Sequence, residues 1–589
     1  MRFKQHLPVT YLLFTYRGRL SRGAYLTALL FCCAAFYVLS NLLNFSHHGA
    51  GYVMYPILFW VLINISAKRL HDQSKSGTSL FLALIPVLGP LYLIWQLWFK
   101  KGSYESNKYG IVPGTKADYH KNDEGQVIPH LKTGESIIDD VTRLNPVLVK
   151  CIERPETIEA LCELVKNTKE PLSIGGGRFS MGGQTASPHT VHVDMRKLNR
   201  ILELNKEEKW IRVECGTRWC DIQQYIDTHD LSIKIMQTYA NFTVGGALSV
   251  NAHGRYMGQG PVVLSVRAID LILPDGTLLK ASKAENTEYF YAAIGGYNAI
   301  GIIARAELDL ADNIALKRVN KKMPQRDYYT YFKEYVVSEP KSVFHNGDIY
   351  PPLYKRMRAV TWVETTEKPT VKTRLMPLKD SYPLERYFLW SFTSTPLGKW
   401  RREFLIDPLV FLSKKIHWRN YEAGYDVAEL EPKSRKASTY VLLEYFVPVD
   451  SFQAFADQMA EIFIRYNVNV LNVSVRHAKA DPGTLLAWAR EEVFAFVVYY
   501  KQKTAAFEKN KVAVWTRELA DAVIETGGSY YLPYQIHPTT EQFHKAYPQA
   551  KQLFELKQKL DPDYKFRNCL WDTYYQPFIE KKHEHSIGV

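Results

Sequence analysis

Paired cysteines, metal-ligand spacings, sequence repeats and low-complexity segments are all missing from this 589-residue sequence. Its seven cysteines are scattered, and the odd number left after Cys32 and Cys33 in an apolar segment favours reduced thiols in a cytosolic compartment over a disulfide framework. No zinc-finger or RNA-recognition signature accompanies the spread-out basic residues, so nucleic acid is the least favoured partner. The formal net charge of +14 instead predicts an anionic membrane face or a phosphorylated ligand.

Long uncharged runs are confined to the first hundred residues. Residues 24–44 are long enough to cross a bilayer and follow a basic flank, whereas 49–66 are shorter but sufficient. Residues 79–99 form a third run, which is broken by Pro86, Gly89 and Pro90. A signal peptide is excluded because the first run is too long and no small-residue cleavage site closes it. We therefore expect an all-α transmembrane domain rather than buried core helices.

Lysine and arginine predict the orientation of these runs. They lie before the first run (Arg17, Arg19, Arg22), in the expected loop 68–72 and at 100–101, while the loop between the first two runs has none. The positive-inside rule then places the N-terminus and the loop 68–72 in the cytoplasm. The third run fits this rule if residues 86–90 turn it back as a re-entrant hairpin, which leaves the rest of the chain in the cytoplasm.

The motifs R-G-R-L-S-R-G-A-Y, A-K-R-L-H-D, I-P-V-L-G-P and N-K-Y-G occur in order within residues 15–110. They resemble a small bacterial inner-membrane domain family of unknown function. This resemblance implies a location in the bacterial inner membrane and no chemistry. A polar linker with scattered glycine and proline is expected to follow, over residues 111–138.

A glycine cluster opens the larger part of the chain, in P-L-S-I-G-G-G-R-F-S-M-G-G-Q-T-A-S-P-H-T-V-H-V-D-M at 171–195. A P-loop is excluded because no lysine follows Gly182. A Rossmann unit is excluded because the residues between Gly183 and Val191 are too few for a helix. The glycines lead from one strand almost directly into another, as a tight turn or as a loop whose bare N–H groups face a pyrophosphate.

Two further glycine clusters favour the pyrophosphate. One lies in Q-T-Y-A-N-F-T-V-G-G-A-L-S-V-N-A-H-G at 237–254, and the other in A-A-I-G-G-Y-N-A-I-G-I-I at 292–303, after the L-P-D-G turn. These motifs, in this order over residues 139–312, resemble the FAD-binding domain of the vanillyl-alcohol oxidase and p-cresol methylhydroxylase (PCMH) flavoproteins. The resemblance implies FAD as cofactor and an α+β class: a two-subdomain PCMH-type fold, an antiparallel-sheet substrate cap, and the transmembrane domain before them.

The resemblance also implies which residues bind the cofactor. Phe179 stands where many members carry a histidine bonded to the flavin, so FAD is expected to be held non-covalently. Arg178 is either a charge near the diphosphate or a solvated arginine, and His253 is favoured as cofactor-lining over acid–base catalysis. The implied cofactor-binding residues are Gly175, Gly176, Gly177, Arg178, Phe179, Ser180, Gly245, Gly246, Asn251, His253, Gly254, Gly301, Ile302 and Asn568.

The C-terminal part is similar to the sugar-acid lactone and alditol oxidases of that family. The segment 546–568 ends in their K-x-x-x-D-P-x-x-x-F-x-N pattern, which implies a return to the flavin domain with Asn568 as a polar contact. Tyr531 to Tyr534 replace their H-W-x-K motif, so their substrate specificity does not carry over. In the cap, N-V-S-V-R-H-A-K-A-D resembles their E-x-R strand, with Ser474 for the glutamate and Arg476 retained.

Arg476 and Lys501 are the candidate catalytic residues, because a fixed cation stabilises the negative charge that hydride transfer builds on the flavin. A charge on the surface of a strand is the alternative for both. The expected domains are 1–110 (transmembrane), 111–138 (linker), 139–312 (FAD-binding), 313–526 (cap) and 527–578 (C-terminal return). A membrane-anchored FAD oxidoreductase is predicted, acting on a hydroxyl-bearing carbon of a sugar, polyol, lactone or lipid-linked sugar, with oxygen or a quinone as acceptor. The alternative is a flavin-binding membrane protein without turnover.

Overall fold

The computed structural model describes residues 13–16, 19–46, 50–73, 75–100, 102, 134–378, 382–395, 397–426, 429, 432 and 434–580. They fall into two compact units, one ending at residue 102 and one beginning at residue 134. The predicted linker, apart from residues 134–138, and the histidines of the tail at 583–585 lie outside the described residues. Residues 136–138 are not linker, because they form a strand paired with Val147–Val149.

The first unit is helical. Its helices are Arg22–Ser46, Met54–Asp72 and Leu88–Ile94, with 3-10 turns at Ala50–Val53 and Gly77–Leu84 and a π turn at Trp95–Phe99. Among the described helices, only Arg22–Asn41 is long and apolar enough to cross a membrane. The second and third predicted segments are thus helical without meeting that criterion.

The prediction of a loop at the basic stretch 68–72 is wrong, because these residues are helical. The stretch forms the buried end of the second helix. There the Asp72 carboxylate forms ion pairs with Arg69 at 2.6 Å and with Arg19 at 3.0 Å. The third segment does break near Pro86, where a turn separates its two halves. A Cβ on Gly89 would lie 1.7 Å from the Leu82 carbonyl oxygen, so the halves approach closely only because this residue is glycine.

The second unit begins with three sheets. Their strands are β1 Ser136–Ile138, β2 Val147–Val149, β3 Cys151–Glu153, β4 Leu172–Gly175, β5 Val191–Asp194, β6 Ile201–Asn205, β7 Trp210–Glu214, β8 Leu231–Ile233, β9 Val266–Ile272, β10 Leu278–Ser282 and β11 Ile302–Asp312. β1 pairs with β2, β3-β5-β4 form a parallel sheet, and β10-β9-β11-β7-β6, with β8 on β11, form an antiparallel one. Their helices are Ile158–Asn167, Trp219–Asp227, Val244–Ser249 and Thr287–Ala293.

An eight-stranded antiparallel sheet of order β15-β12-β14-β13-β17-β18-β16-β19 forms the cap. Its strands are β12 Ala315–Pro324, β13 Ser342–Ile349, β14 Arg356–Glu364, β15 Ile416–Trp418, β16 Ser438–Pro448, β17 Val470–Ala478, β18 Val493–Lys503 and β19 Ser529–Tyr530. Its long helices are Phe452–Arg465 and Ala506–Glu525. A shorter helical insertion between β14 and β15 consists of Pro383–Ser394, Gly398–Arg401, the π turn Arg402–Ile406 and Asp407–Leu412.

Alternation along the strands gives the cap sheet two different faces. On β18, Phe496 and Tyr500 pack against the aromatic rings of Phe455 and Trp515 on the long helices. Val497 and Tyr499, which alternate with these residues along the strand, line a cavity on the opposite face. The cap therefore buries one face in its own core and presents the other to the glycine clusters.

The C-terminal segment packs back onto the glycine-rich sheets. Its helices are Thr540–Ala546, Ala550–Leu560 and Cys569–Tyr574. Phe566 pairs with Leu172 at the start of β4. Lys557 is fully buried, where its amine contacts Asp561 and the Ala299 carbonyl oxygen, each at 2.8 Å. These contacts position the strand that leads into the first glycine loop.

Candidate functional site

The first glycine loop follows β4 and exposes bare backbone to a cavity. A Cβ on Gly176 would lie 2.3 Å from Thr243 Oγ1, and one on Gly177 would lie 2.7 Å from the ring of Phe179. Arg178 adopts a φ of +61°, which turns the chain between these glycines and Phe179. Only glycine therefore fits at 176 and 177, and the loop brings main-chain atoms to the cavity wall.

The second glycine cluster forms the neighbouring wall. Thr243 begins the helix Val244–Ser249 and accepts a hydrogen bond from the Gly246 N–H at 3.4 Å. A Cβ on Gly245 would lie 2.8 Å from the Cβ of Cys215 at the end of β7. The close approach of Gly176 to Thr243, at the start of this helix, brings the two glycine clusters together in the cavity wall.

The cavity has a volume of about 290 Å³ and runs from the glycine loops to the open face of the cap sheet. Cap strands contribute Leu442, Glu444, Asn472, Ser474, Arg476, Val497 and Tyr499. From the C-terminal segment, Tyr531, Pro533 and Tyr534 complete the lining. A small-molecule site of this kind, concave and mostly apolar with a few polar groups, is the usual form of a cofactor and substrate pocket.

Three buried polar atoms in the wall have no partner among the described residues: Arg178 Nε, Thr238 Oγ1 and Arg476 Nε. Buried polar groups are normally hydrogen-bonded, so these atoms are available to a bound molecule. Burial lowers the pKa of both Arg178 and Arg476, and nearby carboxylates oppose that effect. A cationic glycine-lined end and an apolar body together fit an anionic diphosphate joined to a flat ring system.

A carboxylate and an imidazole meet on the cap side. Glu444 Oε1 is 2.6 Å from His253 Nε2, and its Oε2 accepts the Tyr534 hydroxyl at 3.2 Å. The Nδ1 atom of His253 faces the Gly254 carbonyl oxygen at 3.2 Å, and because that oxygen can only accept, Nδ1 carries a proton. A hydrogen bond between Nε2 and Glu444 needs one proton, so the position between these two atoms is a site that can take up a proton inside the cavity.

Glu444 supplies the carboxylate that the E-x-R pattern would place at position 474, where this chain has Ser474. Val497 on β18 pairs with Ser474 on β17 and with Glu444 on β16, so the three residues form one row across three strands. All three line the cavity. A carboxylate is therefore present in the row, two strands away from the position where the E-x-R pattern would carry it.

Ten of the predicted site residues line the cavity. They are Gly176, Gly177, Arg178, Phe179, Ser180, Gly245, Gly246, His253, Ile302 and Arg476. Phe179 packs its ring against Phe242 at 4.3 Å. The side chain of Arg178 also approaches Asp194, at the end of β5, at 3.5 Å.

The other predicted cofactor residues lie behind the wall. Gly175, Gly254 and Gly301 permit close approaches there, each with a side chain or carbonyl oxygen within 2.7 Å of a built Cβ. Asn251 is buried and donates to Asp481 at 2.7 Å. Asn568 is also buried and donates to the Tyr297 carbonyl oxygen at 2.9 Å. Their side chains thus hold the loops in place rather than contact the cavity.

Lys501 is not brought into the cavity. It follows Tyr499 on the same face of β18 but lies past the end of the cavity, where its amine contacts Ser394 Oγ at 2.6 Å. Residues that sequence reasoning missed are Glu444 and Asn472. Glu444 is the only charged residue in the strand S-T-Y-V-L-L-E-Y-F-V-P, a signal that could have marked it.

A glycine-lined cavity beneath an antiparallel cap is the arrangement expected of a flavoprotein oxidoreductase. Residues 146–282 match the family described as FAD binding domain, and residues 13–111 match a family described as protein of unknown function (DUF805). L-gulonolactone oxidase of Scyliorhinus torazame is 23% identical over 432 residues, which cover 70% of this chain and 91% of that protein. The Mus musculus enzyme is 22% identical, with the same coverage. Cytokinin dehydrogenase 2 of Arabidopsis thaliana is 29% identical over 35% of this chain and 42% of its own length.

These matches bear out the predicted resemblance. The chain is an FAD-dependent oxidoreductase with FAD as its cofactor, and it is similar to the vanillyl-alcohol oxidase and PCMH flavoproteins. The glycine loops, the Nε of Arg178, which has no partner among the described residues, and the apolar wall fit this cofactor. The mixed helix and sheet fold with an antiparallel cap agrees with the predicted α+β class.

Proposed function

We propose that this protein oxidises a hydroxyl-bearing carbon of a sugar, polyol, lactone or lipid-linked sugar. The observation that carries the proposal is the set of polar side chains Glu444, Ser474, Arg476 and Asn472 on the cap face of the cavity that the glycine loops also line. Several hydrogen-bonding side chains on one face suit a substrate with several hydroxyl groups. FAD, when bound, accepts a hydride from the substrate carbon.

The protein's own residues take up the proton and stabilise the developing charge. Oxidation of an alcohol to a carbonyl releases a hydride from carbon and a proton from oxygen. His253 and Glu444 take that proton at the position they share, and Tyr534 fixes the second oxygen of the carboxylate. Arg476 supplies a fixed positive charge in the cavity wall, where such a charge stabilises developing negative charge.

FAD is held without a covalent bond. Phe179 occupies the position at which a histidine would be bonded to the flavin, and its side chain has no nucleophilic atom. Arg178 and the bare amides of the first glycine loop hold the diphosphate. Oxygen or a quinone takes up the electrons.

The chain is anchored in the bacterial inner membrane by its first unit, with the catalytic unit in the cytoplasm. The helix Arg22–Asn41 and the distribution of lysine and arginine support this part of the proposal. Free cysteines on the catalytic unit also suit a reducing compartment.

Anaerobic flavin reduction tests the proposal. The purified full chain is mixed with alditols, aldonolactones, aldoses and a polyprenyl-phosphate sugar, and the yellow absorbance of the flavin is followed. We expect one class to bleach it, while an analogue with the reacting hydroxyl replaced by hydrogen does not. If dithionite bleaches the flavin and none of these classes does, the alternative of a flavin-binding membrane protein without turnover is favoured.

A further inference from the structure

The helical insertion between β14 and β15 has an exposed apolar face. Leu412 is 79% exposed, Leu397 72% and Leu409 69%. The other large exposed side chains of this face are Tyr387, Trp390, Trp400, Leu405 and Val410. Eight large exposed apolar side chains within one short insertion mark an interaction surface. We call these eight residues the insertion face.

The opposite side of the insertion is held by polar contacts to the cap sheet. Arg402 donates to the Leu471 carbonyl oxygen at 2.6 Å and to Asn472 Oδ1 at 3.0 Å. Asn469 donates to the Thr393 carbonyl oxygen at 3.0 Å. Phe411 packs against the main core from the same insertion, so polar contacts and one apolar contact hold these helices while their other large apolar side chains stay exposed.

The charges of the insertion are mostly positive. Lysine and arginine outnumber aspartate and glutamate by six to three in residues 383–415. Two of the acidic residues point inward: Glu403 pairs with Arg356 at 2.8 Å, and Asp407 accepts the Tyr350 hydroxyl at 2.9 Å. Lys399 precedes Trp400 in the sequence, and Lys414, which pairs with Glu367, and Lys415 follow Leu412, so the insertion carries a net positive charge that attracts anions.

We propose that the insertion face docks on an anionic lipid bilayer at the level of the headgroups. Leucine with tryptophan and tyrosine on one side, bordered by lysine, is the composition of helices that lie in the membrane interface. Clustered lysine and arginine add attraction to anionic lipids. A bilayer is favoured over a soluble acidic protein because the eight exposed apolar side chains of the insertion face outnumber the three lysines next to them in the sequence.

Docking would bring a strand of the cavity wall to the bilayer, because Arg402 joins the insertion to Asn472. A substrate carried on a lipid would then reach the cavity without leaving the membrane. This consequence rests on the proposed function, whereas docking itself does not, so the experiment below measures docking without turnover.

The test uses the full chain in nanodiscs that contain phosphatidylglycerol and lipids brominated on their acyl chains. Tryptophan fluorescence of the wild type is compared with that of Trp390→Phe/Trp400→Phe, and the difference isolates these two rings. We expect this difference to be quenched by the brominated lipids. The difference given by Trp210→Phe, on β7, is the matched control and should not be quenched.

A charge variant tests the apolar contact directly. Leu405→Asp/Leu409→Asp/Leu412→Asp should abolish the quenching, and replacing phosphatidylglycerol by phosphatidylcholine should weaken it. The control Ile464→Asp/Phe507→Asp/Val514→Asp changes equally exposed residues on the long cap helices and should leave it intact. Unchanged flavin content shows that each variant is folded.

Unquenched rings at 390 and 400 overturn the proposal. With two chains per nanodisc, that result would assign the insertion face to a second copy of the protein. With one chain per nanodisc, it would show that the face stays in water. Quenching that persists in the triple aspartate variant overturns it as well.

Discussion

The carboxylate of Glu444 lies 2.6 Å from the imidazole Nε2 of His253, inside the cavity that the glycine loops border. The two residues are 191 positions apart and come from different layers, one from the cap sheet and one from the loop after the second glycine cluster. Because each needs the other to hold the shared proton, we treat them as one acid–base unit.

Removing the carboxylate tests this unit. We expect Glu444→Gln to slow flavin reduction by substrate by about 10²- to 10⁴-fold, the range found for positioned acid–base groups, and to change its dependence on pH. The measurement is single-turnover reduction between acid and alkaline pH, with flavin content recorded for each variant.

Glu492→Gln is the matched control for that experiment. Glu492 pairs with His477 Nε2, also at 2.6 Å, but neither residue lines the cavity. It should leave the rate and the pH profile near those of the wild type. Equal rates in the two glutamine variants would remove Glu444 from the reaction.

Arg476→Ala should slow flavin reduction by about 10²- to 10³-fold while folding and FAD content stay intact, because one preorganised charge is lost. Arg476→Lys should recover only part of the rate, since an ammonium group lacks the planar fork of the guanidinium. Lys501→Ala, on the neighbouring strand and outside the cavity, should leave the rate unchanged. An alanine variant at 476 with a wild-type rate would show that its charge plays no part, and one that loses flavin and thermal stability together would show a structural role.

The flavin should leave the protein on denaturation. Precipitation with acid should give a colourless pellet and put all of the FAD into the supernatant, because Phe179 offers no atom for a covalent bond. A flavoprotein with a histidyl-bonded flavin, treated in parallel, should give a yellow pellet. Flavin retained by this protein's pellet would mean that another residue forms the bond.

The C-terminus should lie in the cytoplasm. A reporter that fluoresces only in the cytoplasm, fused after Val589, should be active, and one that works only in the periplasm should be silent. The same pair fused after Ser46 should give the reverse result, because that residue ends the helix that contains Arg22–Asn41. A periplasmic signal at Val589 would mean that the segment 79–99 crosses the membrane.

The glycine loops could be predicted from the sequence because glycine occurs at positions where other atoms of the chain lie too close for a side chain. At Gly176 and Gly177 the neighbouring atoms leave no room for a Cβ, so the composition itself carries the geometry. Glu444 could not be assigned in this way, since its role depends on the pairing of three strands. Lys501 could not be placed from the sequence for a different reason. Alternation along β18 predicts that it shares a face with Tyr499, but the sequence does not show that the cavity ends before position 501.

The buried polar residues behind the wall illustrate the same difference. Asn251 and Asn568 stand in motifs that implied cofactor contact, yet their amides bind Asp481 and the Tyr297 carbonyl oxygen. A motif marks the neighbourhood of the cofactor, whereas the direction of each side chain is set by packing. Side-chain direction therefore required the structure.

The row of Ser474, Val497 and Glu444 has a consequence for how relatives of this protein are compared. An alignment compares positions along one strand, and along β17 it records the loss of an acidic residue. A substrate on the open face of the sheet contacts residues from several strands. For such a substrate the carboxylate is still present, but it lies two strands away from position 474. Substrate preference can therefore shift through an exchange of side chains between strands while the backbone and the flavin-binding loops remain as they are.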